Sequence, residues 1–274
     1  MSRIGACFEK LRGEEEGALI VFTVAGHPDP ETSAEVLKAI ADGGADIIEL
    51  GIPFSDPLAD GPAIQAASQR ALAENVTPGG VLEMAAAFRK AREVPLVLMT
   101  CYNPICQFGL DRFVEESAAA GVDGVIVTDL PPEESAEWVE VARAHGLDTV
   151  FLLAPNSPVA RVKKVVALAS GFVYCVSRMG VTGARADLPS DLTHLASRIR
   201  RETAMPVAVG FGISRPEHVA EVCRVAHGAV VGSALVSLID RHQGAAGLTE
   251  AVSAFVNELK AATREQRVTE FDLR

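Results

Sequence analysis

Short, almost wholly apolar runs recur along this chain, each followed by a longer stretch in which apolar residues return every three or four positions. The apolar runs fall at 19–26, 46–51, 95–102, 124–129, 148–154, 171–177, 206–212 and 228–234. Runs this brief and continuous predict strands buried on both faces, as in a parallel sheet covered by helices. Between them, PETSAEVLKAIADGG, DRFVEESAAAG, PPEESAEWVEVARAHG and SPVARVKKVVALASG carry helical spacing. Eight β/α units in 274 residues predict a closed (β/α)8 TIM barrel, an α/β fold, rather than an open doubly wound sheet. Extra helices are expected at residues 2–12 and after residue 245, where LTEAVSAFVNELKAATREQ has the same periodicity. No linker, composition shift or low-complexity stretch divides the chain, so residues 1–274 read as one barrel domain.

The punctuation agrees. Gly44-Ala45-Asp46, Gly121-Val122-Asp123 and Gly146-Leu147-Asp148 each precede an apolar run. Glycine suits the left-handed position after a helix, and the aspartate is then a polar cap where a strand starts.

Composition adds bounds rather than a function. With 36 Asp and Glu against 25 Lys and Arg, the formal charge is −11. Duplex nucleic-acid binding needs clustered cations and is not expected, although backbone dipoles can still hold one small phosphate. Cys7, Cys101, Cys106, Cys175 and Cys223 are scattered, with no C-x-x-C pair or ligand spacing, so a reduced, cytoplasmic chain without a metal is expected. The start, MSRIGACFEKLRGEEEG, is too charged for a signal peptide, and no run reaches the roughly 18–20 apolar residues of a membrane helix.

Barrel enzymes gather their chemistry where strand C-termini meet loops. The loops after strands 2 and 6, PFSDPLADGP and SRMGVTGARAD, are the longest. Glu49 interrupts the apolar run IIELG at the end of strand 2. An unpaired buried carboxylate is costly, so Glu49 is either a solvated or salt-bridged strand end or an acid/base group. Asp60 is a second candidate, or the N-cap of the helix AIQAASQRALA, and Asp56 reads as surface. His27 and Asp129 follow strands 1 and 4, while Tyr102 and Tyr174 lie near strand ends, where packing is the alternative to substrate contact. Gly210-Phe211-Gly212-Ile213-Ser214 after strand 7 and Gly232-Ser233 after strand 8 occupy the usual phosphate position of a barrel, unless they only make tight turns. GVTG, residues 180–183, offers a third arm. A dinucleotide fingerprint is rejected, because Arg215 stands where G-x-G-x-x-G needs its third glycine.

The run IELGIPFSDPLADG closely resembles the signature of the tryptophan synthase alpha chain family. YNPICQFG, GVDGVIVTDLPPEES, VSRMGVTGA, PVAVGFGIS and VVGSALV resemble its other blocks, in order, over nearly the whole chain. The resemblance implies cleavage of indole-3-glycerol phosphate into indole and glyceraldehyde 3-phosphate. It also implies a beta chain in an alpha2beta2 heterotetramer; that partner carries pyridoxal phosphate, and no cofactor is expected in this chain. Carried over residue by residue, Glu49 is the acid/base and Asp60 the indole N–H acceptor. Phe22, Tyr102 and Phe211 line the indole pocket, and Tyr174 is a substrate-site tyrosine. Thr182 belongs to a mobile loop closing beside Asp60, and Gly183, Gly212, Gly232 and Ser233 contact phosphate. Asp56 and Pro57 face the partner. The family's usual threonine after strand 1 is displaced by one position in Thr23-Val24-Ala25-Gly26-His27-Pro28, which points it to the other side of the strand. A stand-alone lyase, or a catalytically weak subunit that activates its partner, shares the same resemblance.

These residue types suit that reaction. Protonation of indole C3 turns the ring into its own electron sink, so neither a lysine Schiff base nor a metal is called for. A carboxyl on an apolar strand has its pKa raised by desolvation, which fits a proton donor near neutrality. Asp60 is expected to stay ionised and stabilise positive charge at N1.

Overall fold

The computed structural model describes residues 1–57, 60–176, 190–210 and 212–264. In chain order the first half runs α1 (Arg3–Gly13), β1 (Ala18–Val24), α2 (Pro30–Asp42), β2 (Ile47–Gly51), α3 (Pro62–Ala73), α4 (Pro78–Arg89), β3 (Leu96–Thr100), α5 (Tyr102–Phe108), α6 (Leu110–Ala119) and β4 (Gly124–Val127). The second half runs α7 (Ala136–Ala144), β5 (Asp148–Leu153), α8 (Val159–Leu168), β6 (Val173–Val176), α9 (Ser190–Glu202), β7 (Val207–Gly210), α10 (Pro216–Val225), β8 (Gly228–Val231), α11 (Ser233–Arg241) and α12 (Leu248–Ala261). Neighbouring strands pair in parallel and β8 closes onto β1, so the eight strands form a closed barrel. All eight expected strands and both terminal helices are present. The segment YNPICQFG, read as loop, instead turns straight from β3 into α5, with Cys101 as its N-cap residue.

Strand alternation divides the apolar residues between two cores. Outward positions such as Leu19, Val21, Ile48 and Leu50 pack under the helices, while Ile20, Ile47, Val97, Ile126, Val150 and Val230 fill the barrel interior. From below, α1 closes the interior by inserting Ile4, Phe8 and Leu11. Among the described residues no helix is long and apolar enough to cross a membrane.

The Gly-x-Asp motifs act at this lower end. Gly44, Gly121 and Gly146 take positive φ values of 96°, 78° and 74°, ending helices as expected. Asp46 Oδ2 accepts from the Leu19 N–H (2.7 Å) and from Lys260 Nζ (2.9 Å). Asp123 repeats the pattern two strands further round the barrel, accepting from the Leu96 N–H at 2.9 Å. It also receives Arg3 Nη1 at 2.9 Å and Arg89 Nη2 at 2.7 Å. Each aspartate thus caps the adjoining strand and anchors a helix.

Candidate active site

Strand β2 turns Glu49 into the barrel, level with Phe22 on β1 and Val97 on β3. The side chain is fully buried, and neither carboxyl oxygen has a hydrogen-bond partner among the described residues. Desolvation alone pushes its pKa up to about 8. The strand end is therefore neither solvated nor salt-bridged.

Above Glu49 opens a cavity of about 330 Å³, large enough for a small organic substrate. Phe22 and Tyr174 form its aromatic walls, and Asp60, Ile64 and Met99 continue the lining. Two glycines give the aromatics their places. A Cβ on Gly51 would stand 2.8 Å from the Phe22 ring, and one on Gly210 would stand 2.4 Å from the Tyr174 hydroxyl. Tyr174 is buried, and its hydroxyl pKa is pushed well up by desolvation and by the neighbouring Glu49 and Asp60 carboxyls.

The far end of the cavity is built from the ends of β7 and β8. Gly212, Ile213 and Ser214 face Gly232, Ser233, Ala234 and Ser237. Gly232 is the N-cap of α11, and its carbonyl accepts from the Leu235 and Val236 N–H groups at 2.9 and 3.1 Å. First-turn amides ahead of these have no intrahelical acceptor, and the helix dipole adds positive potential there. Three serine hydroxyls and a helix N-terminus opening into one cavity end suit an oxyanion such as phosphate.

The N-cap reading of Asp60 does not hold. Gly61 is the N-cap of α3, with no side-chain capping bond. The Asp60 N–H donates to the Pro57 carbonyl at 3.2 Å, and its own carbonyl accepts from Gln65 Nε2 at 2.9 Å. These backbone bonds fix the turn and leave the carboxyl facing the cavity. Burial raises its pKa, as it does for Glu49, so the expected contrast between a raised and an ordinary carboxyl becomes two raised ones.

Of the other expected site residues, Phe22, Tyr174, Gly212, Gly232 and Ser233 meet in the cavity. Thr182, Gly183 and Phe211 lie outside the described residues. Tyr102 is not brought to the cavity: it opens α5, donates its N–H to Asp129 Oδ1 at 2.7 Å and packs against the outer core. That bond also gives Asp129 a structural role. His27 is fully buried, with Nε2 3.3 Å from Asp240 of α11, which Arg70 of α3 also pairs. Burial lowers the His27 pKa more than Asp240 raises it. Asp56 is exposed, accepting from Ser55 Oγ at 2.7 Å.

Sequence reasoning singled out Ser214 with the glycines after β7 but missed Ile64, Met99 and Ser237. Met99 was legible as the second inward position after Val97, and Ser237 as one helical turn beyond Ser233. A smaller pocket adjoins, sharing Phe22, Asp60, Ile64 and Met99 and adding Val24, Phe54, Cys101 and Thr128. The displaced Thr23 points outward as expected; it is fully buried, and its hydroxyl has no partner among the described residues.

A family model described as "Tryptophan synthase alpha chain" matches residues 8–264. The chain belongs to that family. Similar proteins include the tryptophan synthase alpha chain of Solibacter usitatus, 47% identical over 260 residues, covering 95% of this chain and 97% of that one. The Geobacter sulfurreducens alpha chain is 48% identical over 262 residues, covering 96% and 99%. Among solved structures, tryptophan synthase subunit alpha from Legionella pneumophila superposes with a TM-score of 0.89 at 36% identity, over 96% of this chain and 98% of that one. A chain of M. tuberculosis tryptophan synthase gives 0.89 at 33% identity, over 97% and 100%. Against this family background, the described cavity contains two of the three carboxyls of the signature run, Glu49 and Asp60, and the glycine- and serine-bearing ends of β7 and β8 stand opposite them.

Proposed function

We propose that this chain cleaves indole-3-glycerol phosphate into indole and glyceraldehyde 3-phosphate, with Glu49 as the proton-transfer group. The observation that carries the assignment is a fully buried carboxyl, without a partner, opening into a cavity whose other end suits phosphate. With a pKa of about 8, Glu49 holds its proton at pH 7 and has it available for indole C3. The protonated ring then accepts the electron pair of the breaking carbon–carbon bond, which restores indole. Glu49, now a carboxylate, takes the glycerol hydroxyl proton as that carbon becomes the aldehyde. Asp60 accepts the indole N–H and stabilises positive charge at N1. Phe22 and Tyr174 flank the ring, and the α11 N-terminus with Ser233 and Gly212 holds the phosphate.

The chain needs no cofactor of its own in this scheme, since the substrate supplies the electron sink. Membership of the family supports a beta-chain partner, and we assign an alpha2beta2 heterotetramer in the cytoplasm, with pyridoxal phosphate in the beta chain. Glu49→Gln keeps the shape and removes the proton. Indole release by the purified variant is expected to fall by about 10²–10⁴-fold; wild-type-like release would remove Glu49 from the mechanism. Comparing release with and without added beta chain separates this reading from a stand-alone lyase.

A further inference from the structure

The barrel interior below Glu49 contains a feature that the proposed reaction does not use. Phe8 of α1 packs at a tilt against Phe172 with ring centroids 5.9 Å apart, and Phe172 packs in the same way against Tyr174 at 6.4 Å. Tyr174 reaches the cavity floor beside Glu49. A continuous aromatic column therefore runs from the helix that closes the bottom of the barrel to the wall of the candidate active site.

The column is anchored at its lower end. Ser2 Oγ caps α1 through the Gly5 N–H at 3.2 Å, and Arg3 pairs with Asp123 at 2.9 Å. Ile4 is fully buried, and its Cδ1 lies 3.2 Å from where a Gly124 Cβ would stand. Phe172 is fully buried, and interior Ile20, Ile47, Val97 and Ile126 complete the apolar filling. Water reaching Glu49 from below would have to pass this plug.

We infer that Phe8 and Phe172 are positioning residues: through the column, α1 holds the Tyr174 ring in place and seals the floor beneath Glu49 against water. The inference rests on the proposed role of Glu49, but its first consequence is independent of turnover. The groups facing Glu49 set its environment. Phe22 of β1 and Val97 and Met99 of β3 are apolar, β7 offers Gly210, and the titratable neighbours among the described residues are Tyr174 and Asp60. No cation among them holds the carboxylate, so exclusion of water governs its protonation. Opening the plug admits water and lowers the pH at which Glu49 ionises.

The test follows the protonated Glu49 carboxyl by infrared difference spectroscopy, full-length chain minus Glu49→Gln, across pH. Phe8→Ala is expected to move the midpoint down by about one pH unit, whereas Phe8→Leu, which keeps the apolar volume, leaves it near wild type. Phe172→Leu keeps an apolar filling but removes the ring that links Phe8 to Tyr174. It is expected to lower kcat for indole release by about 3–10-fold with KM within about twofold, and it carries the test if Phe8→Ala does not fold. Folded Phe8→Ala with an unmoved midpoint, or Phe172→Leu with wild-type kcat, overturns the inference and reduces the column to packing. If the wild-type carboxyl titrates as expected but no indole is released, the proposed function fails instead.

Discussion

The two ends of the barrel treat buried carboxyls in opposite ways. At the lower end, Asp46 and Asp123 each collect a strand N–H and at least one cation. At the upper end, Glu49 is more deeply buried than either and has no partner. Both arrangements use the same residue class, at opposite ends of the strands. Paired carboxyls hold elements together, and the unpaired one holds a proton. Stability and reactivity are thus assigned to opposite ends of one barrel. The separation is not complete: Asp148, at the lower end, has an Oδ2 without a partner among the described residues.

The contrast can be broken most strongly from below. Asp123→Ala leaves Arg3 and Arg89 without their shared carboxylate and the Leu96 N–H without its acceptor, so denaturant unfolding should show a loss of about 3–5 kcal/mol. Indole release by the folded fraction should stay near wild type. A reading of Glu49 as pure cost makes the complementary prediction. Below pH 4.5 the carboxyl is protonated folded and unfolded, so Glu49→Gln changes little. As pH rises, the unfolded chain ionises first and the folded chain only near 8, so wild-type stability is lost through that window. The glutamine variant should then be the more stable by on the order of 3 kcal/mol at pH 7, measured by urea unfolding at several pH values. Asp60→Asn sharpens the comparison at the cavity mouth. Turnover should fall by about 10²-fold, while urea unfolding at pH 7 should show no loss of stability, because Asp60 caps nothing and its raised pKa makes the ionised carboxyl a cost to the fold. The smallest effect is expected at Thr23→Val, which removes an unpartnered buried hydroxyl at nearly constant shape and should stabilise by about 1 kcal/mol or less in thermal unfolding.

How far these assignments could be read from sequence depended on the range of the interaction. The strands, the terminal helices and the Asp46 and Asp123 caps follow from local patterns, because apolar continuity and Gly-x-Asp turns act within a few residues. Glu49 stood out as a polar residue in an apolar run, but its lack of any partner depends on what the closed barrel brings around it. Tyr102 shares the outward parity of Leu98 and Thr100, so even a longer β3 would have turned it to the helix layer; the resemblance alone had placed it at the pocket. Ile64 attracts no notice singly, and the inward parity of Met99 and the turn spacing of Ser237 gain meaning only once separate β/α units converge on one cavity. The burial of Asp60 is likewise a product of tertiary packing, and it replaced the expected pair of contrasting carboxyls with two raised ones.

Asp240 pairs with Arg70 and lies 3.3 Å from His27, tying α11 to α3 and to the end of β1. One of those helices starts just behind Asp60, and the other starts at the serine-lined cradle. Joined along their flanks, they fix the span between carboxyl and cradle and so form a gauge. A substrate is measured by the length of the arm between its ring and its anion, and one with a shorter or longer arm can satisfy only one end at a time.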